Sequence, residues 1–159
     1  MPELPPISDF MRDYAATAIK QARELFGVTL DYSEQSLVAV DMILGQLAKD
    51  GLIKPESLSP EEQESLWRLC KGYGAYVGEV IIRHIGATWH TKDALDGKLS
   101  VQLTVRNDLK GSPPEKVWKR LTNSEFDTII GYYRGTQHVL GLKPFVPVLP
   151  KKPWYRKLW

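Results

Sequence analysis

The chain has 159 residues, 43% of them hydrophobic and 25% charged, with a formal net charge of +2. That length and apolar content suit one globular domain with its own core and exclude disorder as the global state. Cys70 is the single cysteine, which excludes an intramolecular disulfide and a CxxC zinc site, and no apolar run approaches the roughly 20 residues of a membrane span.

The opening MPELPPISDF is acidic and proline-rich and lacks the basic and apolar regions of a signal peptide, so the cytoplasm is the default location. Charge is unevenly spread. Residues 143–159 hold Lys143, Lys151, Lys152, Arg156 and Lys157 with no acidic side chain, which leaves the remainder at −3. One-signed blocks of this kind mark interaction tails, and an acidic body argues against nucleic acid as its partner.

In chain order, Ser8 can cap a first helix with Met11, Tyr14, Ala15, Ala18, Ile19, Ala22, Leu25 and Phe26 at three- and four-residue steps, stopped by Gly27. VTLDY is an extended connector. Ser33 is the expected N-cap of a second helix that turns Leu37, Val40, Ile43, Leu44 and Leu47 inward and ends at Gly51. Ser59-Pro60-Glu61-Glu62 predicts a capping box and a third helix. Leu66, Leu69, Cys70, Tyr73, Val77, Val80, Ile81 and His84 share its apolar face, and Glu79 and Arg83 fall opposite as an expected solvent-exposed ion pair.

Gly72, Gly74 and Gly78 interrupt that third helix. Each costs about 1 kcal/mol relative to alanine inside a helix, so they imply close backbone packing against a neighbouring element. Their GxGxxxG spacing, inside a helical pattern, does not place them between a strand and a helix N-terminus as a phosphate site requires.

After Gly86 the pattern switches to period two. ATWHT and KLSVQLTVR read as antiparallel strands joined near Asp96-Gly97, NDLKGSPPEK as a loop, and Pro114 or Glu115 as the start of a short helix with Val117, Trp118 and Leu121. Ser124 is the expected cap of a last helix carrying Phe126, Ile129, Ile130 and Tyr133, with helical structure ending near Gly141. The fold class expected is α+β: N-terminal helices packed on a small antiparallel sheet of two or three strands, then one or two short helices. Residues 1–142 form the domain and 143–159 a proline-rich, basic, aromatic C-terminal tail.

Catalytic patterns are not apparent. His84, His90 and His138 match no zinc spacing, and His84 reads as a hydrogen-bonded core histidine. Cys70 sits mid-helix as a small hydrophobe, no GxSxG elbow exists, and Glu61, Glu62, Asp93 and Asp96 read as cap and turn residues. No metal and no cofactor are expected. The sharpest candidate is the tail, where Trp154, Tyr155 and Trp159 are interleaved with Lys151, Lys152 and Arg156; this set suits docking in a protein groove, weak contact with anionic lipid, stacking on single-stranded nucleic acid, or folding back over its own domain.

YGAYVGEVIIRHIGATW, with SLVAVDMIL before it and PPEKVWKRLTNSEFDTIIGYY after it, resembles a family of small uncharacterised bacterial α+β proteins in which a G-x-Y-x-G-E helix runs into G-x-x-W. The matching residues are Gly74, Tyr76, Gly78, Glu79, Gly86 and Trp89. The resemblance implies a single α+β domain of bacterial origin, supplies no activity, and raises Glu79 above a routine surface glutamate: its carboxylate is expected to accept a hydrogen bond from the segment around Trp89. The function expected is a non-enzymatic protein-interaction module, an adaptor or an immunity-type protein. The alternatives are a hydrolase or small-ligand binder, with a cleft between the glycine-containing helix and the sheet lined by Tyr73, Tyr76, Glu79, His90 and Tyr132, and a structural protein that self-associates through the tail.

Overall fold

The computed structural model describes residues 6–48, 52–91, 101–106, 109–124 and 126–149. Its elements are α1 (Ile7–Phe26), α2 (Ser36–Leu47), a 3₁₀ turn at Pro55–Ser57, α3 (Pro60–His84), β1 (Ala87–Thr91), β2 (Val101–Val105), β3 (Leu109–Gly111), α4 (Pro113–Thr122) and α5 (Ile129–Val139). N-terminal helices pack against a three-stranded antiparallel sheet of order β1-β2-β3, and two further helices follow.

The start of α3 forms as its sequence dictates. Ser59 accepts from the Glu62 amide, the Glu62 side chain accepts from the Ser59 amide, and Pro60 occupies the first turn. The helix then runs unbroken through its glycines for 25 residues, about 37 Å. Every residue from Gly72 to Ile81 is buried, which makes this stretch the axis of the core. On one side lie Met11, Ala15, Ala18 and Ala22 of α1, the three alanines letting the two helices come close, and Gly27 at φ 65° ends that helix in the left-handed conformation.

On another side the sheet turns Trp89, Val101, Leu103 and Val105 inward, in the register Trp89 opposite Leu103, and leaves Thr88, His90, Gln102 and Thr104 on its other face. Helix α4 lies across α3, and Trp67 and Trp118 stack there with centroids 3.6 Å apart and planes 2° from parallel.

Three helix starts and one loop differ from expectation. Ser8 lies inside the first turn of α1, because the fixed backbone of Pro6 (ψ 148°) already serves as the entry and the Asp9 amide bonds the Pro6 carbonyl at 2.9 Å. Ser33 caps a tight lead-in turn, accepting from the Ser36 amide at 3.1 Å, and α2 proper starts three residues later. Residues 109–111, expected as loop, pair with β2 as a third strand, since Leu109 and Gly111 find partners in Val105 and Leu103. Ser124 closes only a local turn with the Phe126 amide, Phe126 is 86% exposed, and α5 begins at Ile129 with the Thr128 hydroxyl as its cap. Helix α2 ends at Leu47; Gly51 and the Asp96-Gly97 turn lie outside the described residues.

Candidate functional site

The glycines of α3 decide whether a cleft exists beside it. A Cβ at position 74 would stand 2.4 Å from the Pro114 Cα and 2.5 Å from its nitrogen, so the opening prolines of α4 sit directly on the helix backbone. A Cβ at 78 would stand 2.1 Å from the Trp89 ring, which occupies that side of α3. The cleft expected between the glycine helix and the sheet is therefore filled, by Pro113 and Pro114 at one level and by Trp89 at the next. Gly72 is different: its Cβ would make ordinary contacts at 3.6 and 3.7 Å with α1.

The five cleft candidates accordingly disperse. Tyr73 and Tyr76 are buried, at 1% and 0% exposure. The Tyr76 hydroxyl is held by Ser36 Oγ at 2.6 Å and the Tyr32 amide at 2.8 Å, whereas the Tyr73 hydroxyl has no partner among the described residues and burial pushes its pKa to about 12. Glu79 is buried and accepts from the Trp89 indole N–H at 3.4 Å, the contact expected of it; Arg83 instead lies over the Tyr32 ring, 3.3 Å from its centroid, so the expected exposed pair with Glu79 does not describe this helix face. His90 is exposed on β1.

Tyr132 lines a groove of about 310 Å³ between β3 and α5, and Tyr73 a separate one of about 300 Å³ between α1 and α3. Burial also pushes Tyr132 to about 12. Cys70 is fully buried and its thiol is pushed far up by desolvation, away from any nucleophilic role. No group of three His, Cys, Asp or Glu side chains among the described residues could hold a metal ion.

Two polar constellations were not anticipated. Tyr32 has φ 64°, a rare conformation for a bulky residue. It is fixed from every side: its amide donates to Tyr76, its carbonyl bonds His84 Nε2 at 2.8 Å, its ring stacks on Tyr76 with centroids 5.0 Å apart, and Arg83 covers it. His84, expected in the core, is thus an exposed side chain that closes this knot. Asp41 of α2, fully buried, accepts from the Ile129 and Ile130 amides at 2.7 and 2.9 Å and so caps α5 from 88 residues away. Burial raises its pKa to about 6, against the pull of those amides and of the neighbouring Arg120 and Lys116.

The described part of the C-terminal segment docks on its own domain. Past Gly141 the chain is irregular through Leu149. Gln137 Oε1 accepts from the Phe145 amide at 2.7 Å, and the Gln35 side chain takes both polar groups of the Val148 backbone, accepting from its amide at 2.9 Å and donating to its carbonyl at 2.7 Å. Glu34 steadies this clamp by accepting from Gln137 Nε2 at 3.3 Å and from the Tyr133 hydroxyl at 2.5 Å, and burial first, then the Glu34 carboxylate, push the Tyr133 phenol far up in pKa.

Pro144, Phe145 and Pro147 are half-buried by this docking, while Val146, Val148 and Leu149 stand 71%, 74% and 50% exposed. Lys151, Lys152, Trp154, Tyr155, Arg156 and Trp159 lie outside the described residues. Among the described residues no helix is long and apolar enough to cross a membrane. Gln35, Gln137 and Asp41 could not be singled out in the sequence, because each acts through a partner distant along the chain. Comparison with protein-family models, with curated proteins and with solved structures gives no match to this chain.

Proposed function

We propose that the protein is a non-enzymatic interaction module, of adaptor or immunity type, that presents its C-terminal segment to a partner protein. The supporting observation is the clamped ribbon at 143–149. Three hydrogen bonds from Gln35 and Gln137 hold it against the body, yet Val146, Val148 and Leu149 point away from it. Apolar side chains kept exposed on an ordered backbone are a surface made for a partner, and holding them in one shape lowers the entropy cost of docking. The five basic residues of 143–159, with no acid among them, suit a partner of negative surface potential. The competing ligand-binding reading loses its cleft to Pro113, Pro114 and Trp89, and its residues face different parts of the molecule.

The test is a paired pull-down from host lysate with the full chain and a 1–142 truncation, followed by direct titration of any captured protein with both forms. A partner whose affinity falls at least tenfold on truncation supports the reading. Equal affinity for both forms places recognition on the folded body and overturns the ribbon's role. Light scattering of the two forms addresses self-association: a dimer of the full chain that becomes a monomer on truncation would make the partner a second copy.

A further inference from the structure

A third groove, at the foot of α3, takes no part in the contacts described above. It lies between the C-terminal end of α2 and the first turns of α3 and measures about 530 Å³, within the roughly 300–1,000 Å³ of ligand-sized sites. Leu47, Ile53, Leu58 and Leu66 form its apolar part, and Glu61 and Glu62 supply its charge. The wall at 53–58 is fixed in place. The Ile53 amide donates to the Leu121 carbonyl at 2.8 Å, and Gln63 Nε2 donates to the Pro55 and Leu58 carbonyls at 3.0 and 3.3 Å. Beside it Leu52 stands 40% exposed, and the exposed Glu56 of the 3₁₀ turn adds a further acid, against Lys54 as the cation of that wall. An open apolar hollow with an acidic rim suits a ligand that joins large apolar side chains to cations.

The chain itself carries that composition. Residues 150–159 hold Trp154, Tyr155, Leu158 and Trp159 together with Lys151, Lys152, Arg156 and Lys157, and no acid. Tryptophan, tyrosine and arginine are the side chains that most often anchor an interface. The clamp on the ribbon sets where this segment departs. Gln35 holds both backbone polar groups of Val148 and leads directly into α2, whose far end, Leu47, lines the groove. From Gln35 to Leu47 the helix rises about 18 Å, whereas the ten residues 150–159 span up to about 33 Å when extended. Trp154 and Tyr155 come within reach. A tether of a few residues that spans its gap sets an effective concentration on the order of millimolar, so even a modest site fills.

We infer that the groove between the end of α2 and the start of α3 is a seat for the chain's own residues 150–159, which place aromatic side chains on its apolar part and cations against Glu61 and Glu62. The match rests on the length and composition of that segment and requires no particular backbone shape of it. Val146, Val148 and Leu149 stay outside the seat, so the inference goes beyond the interaction reading and does not depend on it. Its consequence is regulatory. An acidic partner has to draw the same cations away from Glu61 and Glu62, and the groove then competes with the partner for the tail.

The experiment is fluorine NMR of the dilute full-length protein with fluorinated tryptophans and a nitroxide on Glu64→Cys, an exposed position one turn past Glu61; Cys70 is fully buried and escapes labelling. Trp154→Phe and Trp159→Phe assign the two tail signals. Expected is paramagnetic broadening of Trp154 or Trp159 that disappears when the nitroxide is reduced, and that falls at least twofold in Glu61→Lys. Trp154→Ala/Tyr155→Ala should release the Trp159 signal in the same way. Tail signals that the nitroxide leaves sharp overturn the inference and open the groove to a foreign ligand. Broadening that survives both the charge reversal and the aromatic deletion overturns it as well. Broadening seen only when spin-labelled and fluorinated copies are mixed makes a second copy the occupant and overturns the seat within one chain. No partner is present in the sample, so none of these outcomes bears on the interaction reading, which its own truncation test decides.

Discussion

Gly74 and Gly78 in α3 have the same four-residue spacing as Gly131 and Gly135 in α5, but the two pairs meet different surroundings. A Cβ at 74 would strike the Pro114 backbone and one at 78 the Trp89 ring, whereas a Cβ at 135 would meet nothing within 4 Å and one at 131 only the capping hydroxyl of Thr128. In α3 the absent side chains let a second helix and an indole come into contact with backbone. In α5 they leave one wall of the groove beside β3 low and open. Spacing alone therefore does not distinguish a packing seam from an unfilled surface; what distinguishes them is whether another rigid element arrives.

The largest expected effect is at the seam. Gly74→Ala should destabilise by about 3 kcal/mol or more, since proline backbone cannot yield as a side chain can. Gly78→Ala should cost about 2 kcal/mol, less because the Trp89 ring can tilt and the helix gains intrinsic propensity. Urea denaturation midpoints measure both, and a Gly74→Ala protein as stable as wild type would break the comparison.

The next effect concerns what anchors α5. With its pKa raised from 3.8 to about 6, Asp41 contributes stability that is fully present below pH 4 and lost as the pH rises through 6, about 3 kcal/mol at the upper bound. Stability curves from pH 4 to 7 for wild type and Asp41→Asn should therefore diverge in slope, the variant lacking this decline. Parallel curves would show that the carboxyl does not titrate in that window.

Smaller again is the seam's polar lock. Removing the Glu79 carboxylate leaves the buried Trp89 N–H without its acceptor, so Glu79→Ala should cost about 1–2 kcal/mol and Glu79→Gln, which retains an acceptor, less. An equal loss in both variants would assign the effect to charge rather than to the indole contact. The smallest effect has the opposite sign: Gly135→Ala, in helical conformation and open space, should stabilise by about 1 kcal/mol. A loss of stability there would mean that the α5 face is closed in solution by something it packs against.

Much of this architecture was readable in advance because the signals were local. The capping box at Ser59, the αL stop at Gly27, the alternation of Val101, Leu103 and Val105 and the apolar stripe through Cys70 and Val77 each lie within a few residues of what they specify. The misreadings share a different cause. Ser124 looked like a cap, but α5 takes its cap from Thr128 and from Asp41 on another helix. His84 looked like a core residue, but the Tyr32 carbonyl, 52 residues earlier, draws it outward to the surface. The candidate site followed the same division. Proline spacing in the tail was visible as a string, and the clamps of Gln35 and Gln137 that hold it were not, because a glutamine carries no sign of a partner 113 residues away.

The distant cap on α5 also bears on the order in which the molecule assembles. An 11-residue helix with two glycines is too short to persist alone in water, and the carboxylate that completes its first turn is fixed only once α2 has docked. We expect α5, and with it Gln137 and the ribbon it grips, to be the last region to gain amide protection in pulse-labelled refolding; protection of Ile130 ahead of the α3 amides would contradict this. On that schedule the ribbon reaches its clamped shape only in a finished molecule, so a partner of the kind proposed, reading that shape, would discriminate against unfolded copies of the chain.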